Sequence, residues 1–195
     1  MMTIYTALLR GINVGGKNKI KMAELRQLLE EAGLTRVETY IQSGNVIFEA
    51  EDGEEKLKEK IENKIREKFG FSVSVILRTS GQLEQIIRNC PYTERERREA
   101  EALNSEGESF YVCLFHQAPL ETEAERLKPF AGEFDDYRIQ GRDIYLLLRH
   151  SIRNSKLAAK LSLIGGPATV RNWRTMEKLY SLVLDRAPGS SLIVK

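Results

Sequence analysis

The stretch TRVETYIQSGNVIFEA, residues 35–50, decides the fold. It holds two β-rich runs, 35–42 and 46–50, around Ser43-Gly44-Asn45, a cluster of turn formers that favours a hairpin. Upstream, Thr3–Leu9 (TIYTALL) reads as a strand and 10–20 as a loop rich in glycine and asparagine. Met22, Leu25, Leu28, Leu29 and Ala32 then mark one stripe of a helix that Gly33 stops. Downstream, Leu57, Ile61, Ile65 and Phe69 recur every four residues, and 72–78 (SVSVILR) closes the set as a strand. The order is β-α-β-β-α-β, the ferredoxin-like split unit. A hairpin at its centre breaks the strand–helix alternation that a doubly wound nucleotide-binding sheet requires.

The pattern then repeats. Leu83, Ile86, Ile87 and Cys90 have helical spacing, and Pro91 ends that helix. Residues 93–109 are dominated by arginine and glutamate and read as a solvated helix or connector. Phe110–Phe115 is a strand, 120–127 a short helix, 134–140 a strand, and Asp143–Leu148 another strand after a turn at Gly141. Ser155 is placed to N-cap a helix carrying Leu157 and Leu161. A final helix carries Met176, Leu179, Tyr180 and Val183, and 192–194 reads as a last edge strand. The expectation is an α+β protein of two ferredoxin-like (β-α-β-β-α) lobes in tandem. Residues 1–80 form the first, 81–106 a charged helical connector, and 107–195 the second with its terminal helix.

Composition narrows the function classes. The chain has 195 residues and is 42% hydrophobic, enough for a core and against disorder throughout. No apolar run approaches the roughly 18–20 residues of a membrane span, and residues 1–10 lack the basic start of a secretory signal. Cys90 and Cys113 stand far apart without metal-like spacing and read as buried thiols in a reducing compartment. These features place the protein in the cytoplasm, with no membrane partner and no cofactor indicated. Net charge is +2, yet it is segregated. Residues 1–23 carry Arg10, Lys17, Lys19 and Lys21 and no acid. Residues 144–176 carry Arg149, Arg153, Lys156, Lys160, Arg171 and Arg174, again with no acid. The segment between, 24–143, holds 17 basic against 26 acidic side chains, a balance of −9.

Two motifs fall in the acid-free segments. RGINVGGKN, residues 10–18, places Gly11, Gly16 and Lys17 at most of a Walker A spacing. Asn18 stands where that motif needs Ser or Thr, and the helix begins several residues late, so a true P-loop is disfavoured. Anion binding without Walker geometry, or a loop chosen only for its backbone, are the readings left open. The second motif is TVRNWRT, residues 169–175. Its arginines offer forks for phosphate or carboxylate, and Trp173 offers a stacking face. Alternatively, Trp173 anchors the last helix while Arg171 and Arg174 solvate its first turn. His116 and His150 support no catalytic relay or metal site. The acidic clusters 49–55 and 133–136 lack calcium-loop spacing and read as solvated turns. An RNA-recognition surface is disfavoured, since the central strands are apolar on both faces.

With the hairpin TYIQSGNV, residues 39–46, these blocks carry a family resemblance. The chain resembles a bacterial family known as domain of unknown function 1697. Its marks are LLRGINVGGKN (8–18), the hairpin, and SKL (155–157) with ATVRNWRT (168–175). That resemblance implies two ferredoxin-like lobes and no assigned activity. Motif residues in loops are more typical of sites than of cores. The candidate ligand-binding set is Arg10, Asn13, Lys17, Asn18, Ser43, Asn45, Lys156, Arg171, Asn172, Trp173 and Arg174, expected to converge on one basic cleft between the lobes. The leading expectation is binding of a phosphate-bearing anion, nucleotide or nucleic acid. The alternatives are an enzyme acting on a small anionic substrate, and polar blocks that only cement the lobes.

Overall fold

In the computed structural model, which describes residues 1–105 and 107–186, β1 (Thr3–Leu9) alternates as a strand must. Tyr5, Ala7 and Leu9 join one core, while Thr6 and Leu8 between them are fully buried as well. Both faces of the strand are therefore covered, which its apolar run predicts. The same core takes Leu25, Leu28 and Leu29 from α1 (Met22–Glu31) and Leu57, Ile61 and Ile65 from α2 (Glu54–Phe69). Gly70, at φ 78°, ends α2 in the left-handed conformation that glycine adopts without penalty.

β2 (Thr35–Tyr40) and β3 (Asn45–Ala50) form the expected hairpin, with a four-residue turn at 41–44. The closing strand β4 (Val75–Thr79) starts three residues later than 72–78 predicts. All pairings are antiparallel, and the sheet order is β2-β3-β1-β4. α3 (Ser80–Arg88) follows, then α4 (Glu94–Leu103), the charged segment. Thr93 and Glu96 close a reciprocal capping box at its start.

The second sheet reuses the first topology. β5 (Phe110–Phe115), β6 (Asp135–Gln140), β7 (Asp143–Leu148) and β8 (Ala168–Asn172) are ordered β6-β7-β5-β8, all antiparallel. α5 (Glu121–Ala124) continues as a 3-10 helix, Glu125–Phe130, between β5 and β6. α6 (Lys156–Ala159) lies between β7 and β8, and Ser155 caps it by accepting the Ala158 N–H at 2.9 Å. α7 (Trp173–Leu184) is the last helix among the described residues. β8 is the element the sequence reading lacked; the edge strand read at 192–194 lies outside the described residues.

The chain divides into two compact units, Met1–Ile87 with the chain from Glu177 onward, and Arg88–Met176. This division differs from boundaries at 80 and 107, and most of α7 counts with the first unit. Within that unit Tyr180 donates to Glu84 at 3.3 Å, and Arg186 donates to the Arg36 carbonyl and to Glu38, both at 2.6 Å. α7 is thereby tied to α3, and the residues just after it to β2. The result is an α+β chain with two four-stranded antiparallel sheets.

Candidate functional site

The loop between β1 and α1 begins where Leu9 leaves the sheet. Its N–H donates to the Gly44 carbonyl at 2.8 Å, and the next, that of Arg10, donates to the Ser74 carbonyl at 2.9 Å. At the loop's far end Val14 and Lys17 pair as a miniature hairpin, the Lys17 N–H donating to the Val14 carbonyl at 3.1 Å. Gly15 and Gly16, at φ 58° and 76°, supply its two positive-φ positions, the pattern of a type I′ turn. Asn13 and Asn18 flank this turn at φ 55° and 48°, a region asparagine enters more readily than most residues.

Their side chains are committed to the loop itself. Asn13 donates from Nδ2 to the Ile20 and Gln42 carbonyls, both at 2.9 Å, and accepts the Ile20 N–H on Oδ1 at 2.9 Å. Asn18 donates from Nδ2 to the Gly11 carbonyl at 3.1 Å. Ile12 and Ile20 are buried and anchor the loop from beneath. At Gly44 a Cβ would lie 2.6 Å from Ile12 Cδ1 and 2.9 Å from Leu9 Cβ, and φ there is 78°. Only glycine lets the hairpin turn approach the loop this closely. Asn45, fully buried, donates to the Tyr40 carbonyl and to Ser43 Oγ at 3.0 Å each, buckling the same turn.

Three cations remain on the outside of this framework. Arg10, Lys17 and Lys19 are exposed, and their side chains make no hydrogen bond or ion pair with any other described residue. Lys21 differs, lying 3.4 Å from Glu24. Lys19 was absent from the candidate set, although the charge count that singled out residues 1–23 already included it. A rigid loop carrying one guanidinium and two ammonium groups without neighbouring carboxylates suits a multiply charged oxyanion. Walker geometry is not what it offers. The glycines turn a hairpin, and α1 starts at Met22 after a buried isoleucine, so its N-terminal N–H groups do not continue the loop.

The remaining candidates lie in the second unit and have mostly internal contacts. Arg171 sits in β8, 8% exposed, and donates from Nη1 to Thr169 Oγ1 at 2.7 Å and to the Val170 carbonyl at 2.9 Å. Burial pushes its guanidinium down to about 10, which still leaves it cationic at neutral pH. Asn172 caps α7, accepting the Thr175 N–H on Oδ1 at 2.9 Å. Trp173 is 7% exposed, its ring 4.9 Å from that of Phe110, and Arg97 stacks over it at 5.3 Å. Arg174 is exposed but reaches Glu101 at 3.0 Å and Glu108 at 3.5 Å. Lys156 is exposed on the first turn of α6.

Comparison with known proteins bears out the family resemblance. A family model described as a protein of unknown function, DUF1697, matches residues 2–145. The chain belongs to the DUF1697 family. A solved structure of a conserved bacterial protein from Streptococcus pneumoniae is similar to this DUF1697 chain at 30% identity and a TM-score of 0.70. The likeness covers 94% of this chain and 99% of that one. No curated protein matches. Among the described residues no helix is long and apolar enough to cross a membrane.

Proposed function

We propose that this DUF1697 protein binds a phosphate-bearing anion, a nucleotide or a nucleic acid, through the loop at residues 10–20. One observation carries the reading: Arg10, Lys17 and Lys19 are exposed and unpaired among the described residues, on a backbone that Asn13, Asn18 and Gly44 hold in place. A preformed loop loses little entropy on binding, and cations without carboxylate neighbours keep their full field for the ligand. The asparagines act as positioning groups in this reading, not as ligand donors. The buried positions of Arg171 and Trp173 favour an architectural role for the 168–175 block, where the indole is packed and not offered to a base.

Each unit reads as a ferredoxin-like lobe, supported by the split β-α-β-β-α-β order and the repeated strand order of the two sheets. A reducing, cytoplasmic setting is the reading that Cys90 and Cys113, which are not joined in a disulfide, support.

The test is anisotropy of labelled single-stranded and duplex oligonucleotides, with ATP and inorganic phosphate as competitors, across a salt series. Arg10→Ala, Lys17→Ala and Lys19→Ala together should abolish binding and leave the melting temperature unchanged, since all three side chains are exposed. With nucleic acid as ligand, each lost phosphate contact lowers the salt slope by roughly one. Binding that survives the triple variant, or no binding of any of these anions by the parent, refutes the proposal.

A further inference from the structure

Two aliphatic side chains stand exposed among the cations of the β1–α1 loop and its neighbouring turn. Val14, 66% exposed, opens the two-glycine turn, and Ile41, 48% exposed, opens the turn between β2 and β3. Val14 follows Asn13 and Ile41 precedes Gln42. The two therefore flank the hydrogen bond that joins loop to turn, from Asn13 Nδ2 to the Gln42 carbonyl at 2.9 Å. Both occupy positions where turn chemistry favours glycine or a short polar residue. Ile41 also holds φ at 50°, a conformation that asparagine or glycine adopts at much lower cost. Strain of this kind, in a side chain left half in solvent, collects at ligand-binding sites.

Hydrocarbon and charge are held close together here. Val14 and Lys17 are the cross-strand pair of the miniature hairpin, the Lys17 N–H donating to the Val14 carbonyl at 3.1 Å. Residues paired in this way have Cβ atoms roughly 5 Å apart and share one face. Arg10 and Lys19 bring two further cations on the same loop, exposed and without an ion pair among the described residues. A ligand that uses all of these groups carries negative charge at several points and apolar faces between them. Inorganic phosphate has no apolar face, and a duplex keeps its base faces stacked inside. A nucleoside triphosphate gathers its charge at one end, where converging backbone N–H groups hold it best. The glycines here turn a hairpin instead. An unpaired strand offers both features, a phosphate at every step and base faces open to side chains.

We infer that the ligand of this loop is a single-stranded nucleic acid, with phosphates on Arg10, Lys17 and Lys19 and unpaired bases lying on Val14 and Ile41. The inference rests on the anion-binding reading of the same loop and narrows it to one class of ligand. The cations supply attraction without regard to strand state, and the two aliphatic side chains supply the preference for open bases. The strain at Ile41 is then retained because it keeps hydrocarbon at the rim of the cationic loop.

Anisotropy of one labelled oligonucleotide, free and annealed to its complement, tests it on the full chain, with ATP, inorganic phosphate and phosphatidylserine vesicles as further arms. The single strand should bind about tenfold or more tighter than the duplex. Val14→Ser and Ile41→Asn should each weaken the single strand about threefold to tenfold and leave the duplex unaffected. Neither should change the dependence of affinity on salt, since no phosphate contact is lost. Ile41→Asn should weaken the strand while raising the melting temperature, which a variant weakened by misfolding would not do. Equal affinity for single strand and duplex, or single-strand affinity indifferent to both substitutions, overturns the inference and leaves the anion reading standing. Binding of ATP or phosphate without either nucleic acid has the same consequence. Vesicle binding that needs Val14 and Ile41, in place of strand selectivity, assigns the aliphatic pair to a lipid surface and overturns the inference too. Failure to bind any of these anions overturns both readings together.

Discussion

Asn13 donates a hydrogen bond to the Gln42 carbonyl at 2.9 Å, joining the β1–α1 loop to the β2–β3 turn across 29 positions of sequence. The same carboxamide holds both backbone groups of Ile20, so one side chain fixes the loop's far end and its seat on the hairpin. Its positive φ contributes as well, since few side chains accept that conformation.

Replacement of Asn13 separates these roles. Asn13→Gly keeps the backbone conformation accessible and removes only the carboxamide; the expected cost is about 2 kcal/mol for the lost bonds. Asn13→Asp retains the acceptor for Ile20 and loses both donors, so the Ile20 N–H should keep its hydrogen-exchange protection in Asn13→Asp and lose it in Asn13→Gly. Both variants should also weaken anion binding at Lys17, although Asn13 touches no ligand in the proposal. Equal protection of Ile20 in the two variants would show that the side chain does not organise the loop.

Ile41 lies beside this latch in an unfavourable backbone state. Its φ is 50°, and a β-branched residue in the left-handed region is a genuine outlier. Little burial compensates, since the residue is 48% exposed. Ile41→Asn should therefore stabilise the first unit by about 1 kcal/mol, read from chemical denaturation. A loss of stability would mean that the isoleucine side chain contributes more through packing than its backbone conformation costs.

The sequence carried the strands whose inward positions are apolar. β1, β5 and β7 were legible to the residue, because TIYTALL, FYVCLF and DIYLLL leave no ambiguity about what is buried. β8 was not, and the reason is chemical. Its most buried positions are Thr169 and Arg171, and the face that packs on the apolar cluster offers only Ala168 and Val170, so the two-residue period exists but its apolar signal is short and weak. A reading based on apolar periodicity passes over such a strand and takes its arginine for a ligand-binding surface group. The candidate site shows the same ambiguity for asparagine: motif and loop were both legible, but nothing in RGINVGGKN distinguishes a carboxamide that binds a ligand from one that holds Ile20 and Gln42. The cations were easier to identify, because a segment without acids leaves them few partners. The run 133–136 reads as a solvated turn because its acidic composition does not reveal that Asp135 is buried.

The capping box of α4 predicts an acid transition in the second unit. Glu96 receives the Thr93 N–H and hydroxyl and a guanidinium N–H of Arg138, and these donors hold its carboxyl down at about 2, against 4.5 for an unperturbed glutamate. Because the folded value lies below the unfolded one, the charged carboxylate stabilises the fold. That contribution is complete above about 4.5 and is lost as pH falls from there toward about 2. Glu96→Gln retains an acceptor for the cap without the charge, so its stability deficit relative to the parent should be constant at neutral pH and shrink through this acid window. Carboxyl carbon shifts of Glu96, followed by NMR from pH 6 downward, give the midpoint directly. A midpoint near the ordinary glutamate value, with a pH-independent deficit in the variant, would mean that the Thr93 and Arg138 bonds do not persist in solution.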